Sequence, residues 1–155
     1  MAAPTIDTTT SVAREADIPF ALFWEGIEIR LLRIAADGSS YTILSRFAPG
    51  VELPRHKHFG PVHAYTLSGR WRYKEYDWIA EPGSFIYEPA GSTHTLVVDA
   101  DESEPALIYF TVENGMVLLD DDDQPFMVED APTMAERYAE CLANQGIDYP
   151  TGILD

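Results

Sequence analysis

A chain of 155 residues has the length of one domain, and its formal charge of −16 has the wrong sign for nucleic acid or an anionic membrane. Apolar residues make up 46% and charged residues 23%, an ordinary globular balance with enough apolar material for a core. The single cysteine, Cys141, excludes an internal disulfide and a cysteine-based zinc site, and it fits a reducing compartment.

Residues 1–18 are polar, threonine-rich and aperiodic, and read as a flexible arm. They lack the basic flank and apolar stretch of a signal peptide, and no apolar run nears the ~20 residues of a membrane span, so the expected location is the cytoplasm. From residue 19 to about 130 the pattern is short apolar runs broken by glycine and proline turns. The runs are Ile27–Ile34, Tyr41–Phe47, Ala64–Leu67, Trp71–Tyr76, Phe85–Tyr87, His94–Val98, Ala106–Val112 and Met116–Leu119. Asp37-Gly38, Pro49-Gly50, Ser68-Gly69 and Pro82-Gly83 punctuate them. Short strands at this spacing, rich in β-branched and aromatic residues, predict an all-β sandwich or barrel. The run Asp120–Asp123 lacks the glycine and distal glutamate of a calcium loop and reads as a solvated turn.

Residues 131–155 predict a helix and tail packed on the barrel or on a second subunit. Pro132 suits a first turn, and Thr133 with Glu136 spells a capping box. Met134, Tyr138, Cys141 and Leu142 share one face, and Gly146 can end the helix.

Three of the four histidines, His56, His58 and His63, fall within eight residues, and His94 stands apart. In an extended segment residues two apart point the same way, so His56 and His58 can face one ion. His94 from a neighbouring strand would complete a facial set with positions left open. An isolated His-x-His pair beside Lys57 is otherwise read as two solvated side chains.

Two framing patterns bear on that choice. Gly50, five residues, His56-Lys57-His58 and then Gly69 form the first; Gly83, five residues, Pro89-Ala90-Gly91, two residues and His94 form the second. At these points the chain resembles the cupin superfamily, over about residues 50–98, with Val98 where the second motif ends in Asn. The resemblance implies a double-stranded β-helix, a jelly-roll barrel, with His56, His58 and His94 as metal ligands. The usual first motif carries a glutamate ligand four residues after its second histidine, where this chain has Val62. Its absence speaks against the oxalate-decarboxylase and phosphomannose-isomerase types. His63 should point to the opposite face of its strand; a structural role, or rotation inward by a bulge as an extra ligand, are its two readings.

The stretches Leu53–His58 and Tyr87–Leu96 are similar to three-histidine cupins that cleave carbon–carbon bonds, acetylacetone dioxygenase and, more so, 2,4′-dihydroxyacetophenone dioxygenase. Both carry a glutamate six residues before the third histidine, and Glu88 fills that place. Glu88 also alternates onto the face of Ser84 and Ile86, where a buried carboxylate needs a hydrogen bond or a cation. It can orient a ligand imidazole, act as the base that forms an enolate, or lie at the surface as a strand-end glutamate. The pocket walls are sought among Ala64, Thr66, Trp71, Tyr73, Ile86, Leu96, Ile108 and Phe110, all equally suited to plain core. Arg72 and Arg55 can pair with an acidic substrate group or be solvated.

The expected function is thus an iron(II) dioxygenase acting on a small diketone or hydroxyketone with O2; zinc, nickel or manganese also suit three imidazoles. A metal-binding sensor without turnover and a sugar or keto-acid isomerase are the alternatives. Exposed strand edges predict a homodimer or homotetramer, with Phe20, Phe23 and Trp24 in segment 19–34 available for the contact.

Overall fold

Alternation of buried and exposed side chains organises the molecule. In the computed structural model, which describes every residue except Ala2 and Pro4, Val62 to Leu67 alternate strictly between interior and solvent, as do the odd and even positions after Ala106. The strands are β1 (Ala21–Trp24), β2 (Ile27–Ile34), β3 (Ser40–Phe47), β4 (His56–His58), β5 (Val62–Ser68) and β6 (Arg72–Tyr73). Then follow β7 (Phe85–Glu88), β8 (Thr93–His94), β9 (Leu96–Val97), β10 (Ala106–Glu113), β11 (Met116–Leu119), β12 (Pro125–Glu129) and the helix α1 (Ala131–Asn144). They form an antiparallel sheet in the order β1-β2-β3-β10-β5-β7, a second in the order β12-β11-β4-β8, and a β6-β9 pair. The architecture is the all-β jelly roll expected of the sequence, with one helix at its C-terminal end. Side chains from all three sheets meet around one interior cavity.

The expected elements differ from the observed ones in three places. The run Trp71–Tyr76 yields only the two-residue strand β6, because Tyr76 N–H turns back to Tyr73 O and the Glu75 carboxylate, not backbone, accepts from Thr95 N–H. Strands β1 and β12 lie outside the expected set. β1 is a four-residue edge strand turned by Gly26, and β12 begins at a proline after the acidic run. Asp120 folds that run into a hairpin loop: its Oδ1 accepts from the N–H groups of Asp122 and Gln124.

In the segment read as an arm, residues 1–18, Ala2 and Pro4 lie outside the described residues. Its last part is packed: Glu15–Asp17 make one 3-10 turn, Glu15 reaches Arg30 at 3.4 Å, and Ile18 is fully buried.

α1 is capped by Asp130 rather than Thr133. Asp130 accepts from Thr133 N–H, and the Thr133 hydroxyl accepts from Asp130 N–H, a reciprocal box that Pro132 inside the first turn leaves undisturbed. Met134, Tyr138 and Leu142 are buried, while Cys141 is only partly so. Tyr138 donates to Pro19 O and Gln145 accepts from Leu22 N–H, which fastens the helix to β1.

The same packing covers the aromatics of segment 19–34 offered for association. Phe20 lies between the guanidinium groups of Arg30 and Arg46, each 4.1 Å from its ring, and Arg137 sits 3.7 Å over Trp24. Exposed aromatics gather instead on the outer face of β5, β7 and β10, at Tyr65, Phe85, Tyr87 and Tyr109.

Gly69 makes the closest turn of the barrel. Its φ is +73°, and a Cβ there would sit 2.3 Å from Pro105 O and 2.6 Å from Ala106 Cα. Gly69→Ala is therefore expected to cost about 2–6 kcal/mol, a left-handed side chain added to a backbone clash. Chemical denaturation measures it, and an unchanged midpoint would contradict this packing.

Candidate metal centre

The three-residue strand β4 carries His56 and His58 inward and Lys57 outward. β8 runs antiparallel beside it and places His94 directly opposite His56. The three rings lie with centroids 4.9 to 5.2 Å apart, and all three are at most 4% exposed. One nitrogen from each lies within 4.8 Å of the others, a spacing that one ion can bridge.

One hydrogen bond and one stacking contact orient two of the rings, while neither ring nitrogen of His58 has a partner. His56 donates from Nδ1 to Pro54 O at 3.0 Å, which leaves its Nε2 as the acceptor nitrogen. The Tyr73 ring stacks on His94 at 3.7 Å, fixing the plane of that imidazole. Burial holds all three imidazoles neutral. His58 is pushed down to about 2 by burial and then by the neighbouring His56 and His94. His94 is pushed down to about 3 by burial and by His56, and His56 is lowered by burial against the pull of Pro54 O.

Glu88, the last residue of β7, is 3% exposed. Its Oε1 accepts from the Tyr73 hydroxyl, and its Oε2 lies 3.1 Å from His58 Nε2 and 3.6 Å from His94 Nε2. Neither approach has hydrogen-bond alignment: Glu88 Oε2, His58 Nε2 and His94 Nε2 are all buried without a partner. Burial raises the carboxyl to about 7, against the Tyr73 donor, which lowers it. Unpartnered buried polar atoms cost about 1–3 kcal/mol each, so three of them converging on one point call for a cation. Three neutral imidazoles with a carboxylate beside them suit a divalent transition metal, and the residues fit such an ion.

The cavity next to this cluster has a volume of about 60 Å³, room for about four to six water-sized groups. Of the pocket residues read from sequence, Tyr73, Leu96 and Phe110 line it. Thr66 does not: its hydroxyl is taken by Trp71 Nε1 at 2.9 Å. Ile86 does not either, lying half-buried beside Trp78 in a surface hollow. His63 is a correction to its reading as an extra ligand or outer partner. β5 alternates regularly, so Val62 points inward and His63 lies outside, against the Tyr87 ring at 5.4 Å. Arg72 forks onto Asp99 at 2.9 and 3.0 Å, and Arg55 pairs with Asp123 at 3.1 Å, so both cations are engaged at the surface.

Tyr41, Ser45 and Glu129 also line the cavity and lie outside the residues singled out in the sequence, and Trp24, offered there for association, lines it too. For Tyr41 and Ser45 a signal exists, since Tyr41, Ile43, Ser45 and Phe47 alternate along one strand. For Glu129 there is none, because its strand is bounded by an acidic loop and a helix cap.

A family model described as the ChrR cupin-like domain matches residues 8–116. An RmlC-like cupin protein of Ralstonia eutropha JMP134 is 31% identical, with 92% of each chain covered and a TM-score of 0.84. The acetylacetone dioxygenase of Acinetobacter johnsonii shares the fold at 16% identity, with 91% of this chain and 97% of that chain covered and a TM-score of 0.72. The structure of Rhodobacter sphaeroides SigE with the anti-sigma ChrR matches at 18% identity, over 64% of this chain and 52% of that chain, with a TM-score of 0.55. Among curated proteins the sequence finds no match.

Titration of the metal-free protein with zinc or cobalt(II) should give one site per chain. His94→Ala should weaken it by more than about 100-fold, beyond the ~10–100-fold cost of losing an outer partner. His63→Ala should leave the affinity unchanged; equal weakening by both variants would remove the three-histidine assignment.

Proposed function

The chain belongs to the ChrR cupin-like family, and we propose that it is an iron(II)-dependent dioxygenase that cleaves a carbon–carbon bond in a small diketone or hydroxyketone. The observation that carries this reading is the unpartnered Glu88 carboxylate oxygen beside the three-imidazole cluster, at the edge of a cavity with largely apolar walls. A structural carboxylate would have both oxygens bonded; this one has one oxygen held by Tyr73 and the other free.

His56, His58 and His94 would hold the ion, and divalent iron so bound supplies Lewis acidity and redox chemistry with oxygen. The chain's own residues do the rest. Glu88 accepts the proton from the carbon next to the substrate carbonyl, which leaves an enolate that can chelate through two oxygens. Tyr73 orients Glu88 by its hydroxyl and His94 by its ring, so one side chain aligns both base and ligand. Ile43, Leu53, Leu96 and Phe110 exclude water from the wall, which strengthens the charge interactions within. One O2 is consumed per bond broken, and both of its atoms leave in the two carbonyl fragments. Neutral imidazoles suit an anionic enolate, since an additional charged ligand would weaken its attraction to the ion. The size of the cavity favours a short aliphatic diketone over an aryl ketone.

A sensor without turnover is the second reading. It is favoured by the family description and by the fold shared with ChrR, which is found with a sigma factor. A homodimer or homotetramer belongs to the same proposal; gel filtration at micromolar concentration tests it, and a monomer would remove it.

Oxygen uptake distinguishes the two functions. Protein loaded anaerobically with iron(II) should consume O2 with acetylacetone faster than with 2,4′-dihydroxyacetophenone, and His94→Ala should abolish uptake. Glu88→Gln should slow uptake by about 10²–10⁴-fold with metal content retained, the usual contribution of a positioned base. Full metal occupancy without uptake on any diketone or hydroxyketone would shift the assignment to the sensor.

A further inference from the structure

The cavity has polar lining groups beyond the metal cluster. Tyr41 Oη and Ser45 Oγ are both buried and both without a hydrogen-bond partner. Both residues are 1% exposed, both lie on the inward face of β3, and both line the cavity that reaches His56 and His58. Hydroxyls are rarely buried unpaired, because each loses its bonds to water and gains nothing in return.

Sheet register places them relative to the metal cluster. Tyr41 pairs with Val112, Val112 with Val62, and Val62 with Glu88, so Tyr41 and Glu88 stand in one row across the sheet. Ser45 stands four pairs further along, in the row of Ile108 and Thr66. Four residues of strand separate the two α-carbons by about 13 Å, so they offer two anchor points rather than one shared bond. The wall around them is apolar, formed by Ile29, Ile43, Phe110 and Leu118.

The charges fix the kind of ligand. The ionisable acids that line this cavity are Glu88 and Glu129, and the cation nearest Glu129, Arg137, is bonded to it at 2.9 Å. A ligand with an anionic far end would meet carboxylates and no free cation. A neutral oxygen, by contrast, can both donate and accept.

We infer that Tyr41, in the row of Glu88, is the specificity contact for a neutral hydroxyl or carbonyl oxygen carried beyond the metal-chelating pair, with Ser45 as a second anchor further along the same face. Among the small diketones and hydroxyketones proposed above, the preferred substrates are then those that carry a further oxygen, neutral at the far end. This rests on the proposed function, since it takes the metal cluster as the site that holds the other end. A site built around hydroxyls also rejects analogues lacking the matching oxygen, because its own polar atoms then stay unpaired.

The test is calorimetric binding to zinc-loaded protein, in which no turnover occurs, of 1-hydroxybutan-2-one and of 1,4-dihydroxybutan-2-one. The pair differs by one distal hydroxyl. Wild type should bind the dihydroxy compound about tenfold or more tightly, roughly one hydrogen bond's worth. Tyr41→Phe, or Tyr41→Phe with Ser45→Ala, should abolish that preference and leave binding of the monohydroxy compound unchanged. The ligand-free variants should unfold at the same midpoint as wild type or higher, because the hydroxyls removed have no partner to lose. Equal binding of the two compounds by wild type overturns this inference alone, as does a preference that survives in the double variant. A lowered midpoint also overturns it, since it makes the hydroxyls structural. Failure of both compounds to bind overturns it together with the proposed catalytic reading.

Discussion

Burial of three imidazoles and one carboxylate without hydrogen bonds among them is the condition on which the interior of this protein depends. Each group is at most 4% exposed, and the atoms that converge are acceptors, or neutral nitrogens facing acceptors. Packing alone gives no reason to place them there, since apolar side chains of similar volume would fill the space without loss of solvation. Their arrangement suits a cation, which would supply the partner that these buried atoms lack. The rest of the interior can be read as the means of keeping that site dry, rigid and accessible to a small molecule.

The rigidity comes from short strands and one aromatic side chain. β4 has three residues, too few to support itself, yet it is paired on both sides, with β11 and β8. The Gly91 N–H bonds to His58 O, and His58 N–H bonds to Ser92 O, so the turn before His94 is fastened directly to His58. Tyr73 lies in a two-residue strand whose partner, β9, follows His94 almost at once. Its ring and hydroxyl therefore move with the third histidine, and the carboxylate it holds moves with both.

How much of this was legible in the sequence follows from which interactions are local. His56 and His58 share a face because strand periodicity is two, and Val62 and His63 divide between interior and solvent for the same reason; both readings need no knowledge of neighbours. Glu88 was legible as an inward carboxylate by the same alternation. The strands at Ile27–Ile34, Tyr41–Phe47 and Ala106–Val112 were legible because each is long and paired along its length. β1 and β12 were not, since each takes its register from a partner rather than from its own pattern. Alternation names a face but not what fills the space above it. Thr66 and Ile86 show the limit: both share the face expected of a pocket, but Trp71 claims the hydroxyl of one and Trp78 stands beside the other. Tyr41 and Ser45 sit on an equally regular strand. Their place in the cavity is set by the order of β3, β10, β5 and β7 in the sheet, which links residues more than forty positions apart.

Val62, where the resemblance leads one to expect a glutamate ligand, stands directly across the sheet from Glu88. The interior therefore holds one carboxylate at this level of the sheet, on β7 rather than β5. On β7 the carboxylate is tied by Tyr73 and leaves an oxygen free beside the imidazoles, instead of being committed to the ion as a ligand. A charge fixed on the metal would reduce its pull on an anionic substrate. A carboxylate beside it, kept off the ion and held by Tyr73, leaves one oxygen available as a proton acceptor. The valine thus does more than vacate a ligand position: it supplies the apolar neighbour that keeps Glu88 poorly solvated, and with it the proton-accepting character that the proposed chemistry requires.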